Sequence, residues 1–117
     1  MPTFTIGDTK TARITIKNTG TVRADLNITF RLRDIFGGYP ISTWTLLSLN
    51  AGQTGSADFV VNFSGMAEGI YAPEVSVYHW DPVTGELLEL LAFAEGEAVT
   101  LVPPAVVSVQ IVSIVWL

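Results

Sequence analysis

The strongest constraint on this chain is its period of two. In ADLNITFRLRD, Leu26, Ile28, Phe30 and Leu32 alternate with Asn27, Thr29, Arg31 and Arg33. The same rhythm runs through TARITIKN (Ala12, Ile14, Ile16), SADFVVNF (Ala57, Phe59, Val61, Phe63) and GIYAPEVSVYHW. In the last run Tyr71, Val75 and Val77 oppose Glu74, Ser76, Tyr78 and Trp80. Side chains of a strand point alternately to its two faces, so each run predicts a strand with one apolar and one wet face. Clusters that supply Gly, Pro, Asn or Asp separate the runs: NTGT, FGGYP, NAGQTG, SGMAEG and DPVTGE. Short strands at this spacing predict an all-β sandwich of about seven strands. ELLELLAFAEGE is the one stretch whose residues favour a helix, but it follows DPVTG directly and reads as the return strand of a hairpin.

At 117 residues the chain is one domain by size. Nearly half of it is apolar (49%) and only 15% is charged, so more apolar material is present than one small core needs. There is no cysteine, which excludes a disulfide scaffold, a thiolate metal site and a thiol nucleophile. Net charge is −5, which disfavours nucleic acid as a partner. All six basic residues (Lys10, Arg13, Lys17, Arg23, Arg31, Arg33) lie in the first 33 positions, and nine acidic residues follow from Asp34 onward. This asymmetry reads either as two sheets of different charge or as complementary surfaces that meet head to tail. MPTFTIGDTK lacks the apolar run of a secretory signal, which predicts a trimmed product or a protein assembled where it is made, as virion proteins are.

The segment after Pro103 and Pro104 breaks the pattern. AVVSVQIVSIVWL has no charge, glycine or proline. One face carries Val107, Val109, Ile111, Val115 and Leu117; the other carries Val112, Ile114 and Trp116 beside Ser108 and Gln110. A strand apolar on both faces is one buried on both faces. It is too short for a membrane helix, which needs about 20 apolar residues. Residues 103–117 therefore read as a hinge and a long extra C-terminal strand, appended to a sandwich over residues 1–102. Three coverings are open: its own sandwich, a neighbour's sandwich, or other copies of itself. The two prolines interrupt the ladder and favour a neighbour, so the expected partner is a second copy or a larger assembly.

Residues ARITIKNTGTVRADLNITFRLRD, LNAGQTG and GIYAPEVSVYHWDPVTGE carry a resemblance. Asn18 and Gly20, Leu49 and Gly52, and Gly69 and Tyr71 are arranged as in the CARDB-type, cell-adhesion-related Ig-like modules, over residues 10–102. The resemblance implies an Ig-like sandwich of a cell-surface protein with no catalytic residues, and Tyr71 as a tyrosine corner whose phenol bonds backbone. The chain departs from that pattern in its short first strand: only PTFTI precedes Gly7.

Sites of chemistry are sparse. His79 is the single histidine, and no serine sits in a nucleophile-elbow pattern. Asp81 and Glu86 flank one turn, too few oxygens for a calcium ion. The sequence thus predicts no enzyme, cofactor or metal site. Tyr78 and Trp80 on an outward face, with Tyr39 and Trp44 around the GGYP loop, form a possible stacking platform for sugars. Asn27 and Asn62 open N-x-Ser/Thr sequons on outward positions, which permit glycosylation of an exported chain. The expected function is a structural subunit of a virion or extracellular filament. Adhesion or carbohydrate binding at a cell surface is the alternative.

Overall fold

The computed structural model describes residues 1–105 and 109–117. Eight strands follow in order: β1 (Thr3–Thr5), β2 (Thr9–Lys17), β3 (Ala24–Arg33), β4 (Ile41–Leu49), β5 (Thr54–Asn62), β6 (Gly69–Trp80), β7 (Leu87–Glu95) and β8 (Val99–Val102). No helix occurs among the described residues, so none there crosses a membrane as a helix. The larger sheet runs β1-β8-β6-β3-β4, with β7 also on β6; the smaller contains only β2 and β5. The chain is an all-β sandwich of two unequal sheets.

Alternation places the core as expected. Leu26, Ile28, Phe30 and Leu32 of β3 are buried against Ala57, Phe59 and Val61 of β5 and the adjoining Phe63. The Phe30 and Phe59 rings stack across the sandwich with centroids 5.3 Å apart. Tyr71 and Val77 of β6, Leu49, and Val99 and Leu101 of β8 complete the core. The phenol of Tyr71 donates to the Ala67 carbonyl at 2.6 Å, the bond expected of a tyrosine corner.

The strand that returns along β6 is split in two. β7 pairs with Glu74–Trp80 and β8 with Gly69–Tyr71. Pro73 lies between, and the Gly96 N–H donates to its carbonyl at 2.9 Å. A Cβ on Gly96 would sit 3.0 Å from Pro73 Cγ, so the chain passes close only because the residue is glycine. This split is why eight strands stand where about seven were expected. ELLELLAFAE forms the strand β7 despite its helix-favouring side chains, because β6 supplies a ladder from Glu74 to Trp80.

Two expectations need correction. Asn27 and Thr29 do not face water: they are 5% and 9% exposed. β3 is central, and Asn27 lies between Leu46 and Tyr78 while Thr29 lies between Trp44 and Ser76. Large neighbours cover the short polar ones, and the Thr29 hydroxyl donates to Asn27 Oδ1 at 2.7 Å. The sequon at Asn27 is therefore enclosed by the fold, whereas Asn62 is exposed. The other is the long C-terminal strand, whose described part, residues 109–117, pairs with no strand of the single chain. Residues 109–117 have no strand structure, because a strand exists only with a partner edge. Val107 lies outside the described residues.

Candidate assembly and ligand surfaces

The last strand ends at Val102, whose carbonyl accepts from the Ile6 N–H at 2.8 Å. Pro103 and Pro104 then offer no N–H, so the ladder cannot continue. Beyond them Val109, Ile111, Val112, Ile114, Val115, Trp116 and Leu117 are all exposed, Val109 at 92% and Trp116 at 100%. A run of this kind is an interaction surface or an aggregation site.

The small sheet is held by its two strands alone. β2 and β5 pair without a register shift from Thr9↔Asn62 to Lys17↔Thr54. On the outer face Arg13 grips Asp58 with two hydrogen bonds, 2.8 Å from Nε and 3.0 Å from Nη2. The guanidinium holds the Asp58 carboxyl below the usual carboxylate range, chiefly through these bonds. Asp58 in turn raises Arg13. The edge of β2 away from β5 has no strand partner among the described residues.

Trp44, Tyr78 and Trp80 share the outer face of the large sheet. Register fixes this: Trp44 is opposite the outward Thr29, Tyr78 is opposite Asn27, and Trp80 follows Tyr78 by two. Tyr39 joins them through its ring, which lies 5.1 Å from the outward Arg31 guanidinium. A shallow depression beside Trp80 is bordered by Leu46, Arg23 and Asp25. The four aromatic residues that were grouped from the sequence thus lie over one sheet face.

The basic residues are largely engaged within the chain. Arg33 lies 3.4 Å from the buried Glu74 and 3.7 Å from Glu95, and Arg23 lies 3.7 Å from Asp25. Lys10 sits over the Phe4 ring at 5.1 Å. With Arg13 on Asp58 and Arg31 on Tyr39, most basic side chains have a partner inside the chain. The Arg33–Glu74–Glu95 group was not legible in the sequence, since its members come from three strands.

His79 is opposite Leu26 near the end of β6, its Nδ1 3.8 Å from Glu89. Asp81 serves its own turn. Its Oδ1 accepts from the Val83 N–H at 2.9 Å, which holds this carboxyl below the usual range. Among the described residues no three His, Cys, Asp or Glu side chains group to hold a metal ion. No protein-family model, curated protein or solved structure matches the chain.

Proposed function

We propose that this chain is a non-catalytic structural module that joins copies of itself, or a larger assembly, through its apolar C-terminal segment. A virion or an extracellular filament is the proposed setting. The observation that carries the reading is the exposed run from Val109 to Leu117, with seven large apolar side chains in nine positions. The resemblance of residues 10–102 to CARDB-type modules supports a surface-protein building block. Such a run contributes through burial, at roughly 1.5–3 kcal/mol for each large apolar side chain. Ordering the segment offsets part of that gain. The test is sedimentation of the full chain against Ile111→Asp/Val115→Asp. The parent should sediment as an oligomer and the double variant as a monomer. Equal masses for the two would reject the reading.

A second reading rests on the outer face. Trp44, Tyr78 and Trp80 lie on the outer face of one sheet, and aromatic rings on such a face can stack on pyranose rings. Titration of oligosaccharides against tryptophan fluorescence tests it. Binding that is lost in Trp44→Ala would support a carbohydrate-binding module, and flat titrations across a glycan panel would remove it.

A further inference from the structure

The sandwich has a gap between β2 and β7. The large sheet extends past the small one, so every residue of β7 is exposed although β7 belongs to the larger sheet. Between β2 and β7 lie two cavities of ≈ 340 and ≈ 260 Å³, which share Ile16, Val77 and Ala92 among their walls. Ile14 and Ile16 of β2 form one side, Val75 and Val77 of β6 the floor, and Leu91 and Ala92 of β7 the other side. Ile14, Ile16 and Val75 are only partly buried as a result. The groove is mainly apolar, with Lys17 on the wall of both cavities and Asn18 and Thr19 at one end, and it runs beside an edge of β2 that has no strand partner among the described residues.

Two edges border this groove, and they differ. β7 pairs with β6 through register shifts at Val77/Tyr78 and Tyr78/Trp80. Such bulges twist an edge and spoil it as a template. β2 is nine residues long and free of shifts along β5. In an antiparallel ladder every second residue aims its N–H and C=O away from its partner, so β2 presents a regular row of donors and acceptors. A two-stranded sheet is also the weakest that exists, and a third strand completes it.

We infer that the free edge of β2 is the acceptor for the apolar segment of a second copy of this chain. The inference rests on the assembly reading above and names the surface that the segment takes. Residues 109–117 match the nine residues of β2 in length. Val109, Ile111 and Val115 share one face, which enters the groove over Val75 and Val77. The opposite face, with Gln110, Val112, Ile114 and Trp116, turns away from the groove. The chain's own segment is poorly placed to do this. β8 ends at Val102, whose carbonyl accepts from the Ile6 N–H, at the end of the sandwich where β2 begins. The groove lies along the other half of β2, from Ile14 to Lys17. β1 already occupies the free side of β8 on the way there. A second copy has no such obstacle. One donor segment and one acceptor edge per chain make a head-to-tail contact that propagates.

Complementation between full-length variants tests this. Ala92→Glu puts a carboxylate into the groove at an exposed position that the fold tolerates, and leaves the donor segment intact. Ile111→Asp/Val115→Asp spoils the donor and leaves the groove intact. Each variant alone should be a folded monomer by sedimentation and circular dichroism, its self-association weakened roughly 100-fold or more. Mixed, they should form a one-to-one dimer and nothing larger, because one good donor meets one good edge. If Ala92→Glu assembles like the parent while the donor variant does not, the segment is adhesive but binds elsewhere, and the β2 assignment is overturned. Two monomers that stay monomeric when mixed overturn it as well. If both variants assemble like the parent, the assembly reading falls together with it.

Discussion

Tyr71 shows how much one side chain can report. Its ring is buried and its phenol donates to the Ala67 carbonyl. Burial pushes the phenol above its ordinary value of about 10, and the charge of Asp34 adds to the shift. The neutral form is thus favoured by folding. The stability it contributes is fully present below about pH 10 and is lost as pH rises through the folded-state value. Tyr71→Phe should cost about 1 kcal/mol at neutral pH and make the alkaline decline shallower, both read by urea unfolding. An unchanged alkaline decline would show that another group causes it. Ile28, fully buried at 0% exposure, is a pure packing residue, and Ile28→Ala should cost about 2–5 kcal/mol in the same measurement. Tyr71 was legible because Gly-x-Tyr is a local pattern. Asn27 and Thr29 were not, because Trp44, Leu46 and Tyr78, which cover them, come from strands distant in sequence.

At the scale of strands, β2, β3, β5 and β6 were legible because each keeps its period of two for eight residues or more. β7 was legible only from the turn before it. β1 is three residues long and is defined by its parallel pairing with β8, for which a local sequence carries no signal. The groove is invisible in sequence for the same reason, since its walls belong to β2, β6 and β7. Its existence leads to an expectation about backbone amides. In the assembled chain, the β2 amides that point away from β5 should gain protection from hydrogen exchange relative to Ile111→Asp/Val115→Asp. The exposed edge of β7 should not. Protection that appears along β7 would place the donor on the wrong strand in this account.

For the molecule as a whole, the imbalance between sheets and the exposed segment belong together. A sandwich with six strands on one side and two on the other leaves apolar surface beside an open edge. The same chain carries an exposed apolar run over residues 109–117 with no strand partner among the described residues. The sequence announced the second fact through its uncharged run and concealed the first. Hydrophobic contact, not charge, should dominate the assembly, since Arg13, Arg23 and Arg33 have partners within the chain. Assembly should accordingly persist in molar salt, where exposed ion pairs are screened beyond about 3 Å; dissociation by salt would return the weight to the charge asymmetry. The most direct measurement is the native mass of the chain with residues 105–117 deleted, alongside the full chain at equal concentration. The account predicts an oligomer for the full chain and a folded, soluble monomer for the truncated one, whose last strand at Val102 is untouched. A truncated chain that keeps the parent's oligomeric mass, or that unfolds because the segment was completing its own sandwich, would contradict it.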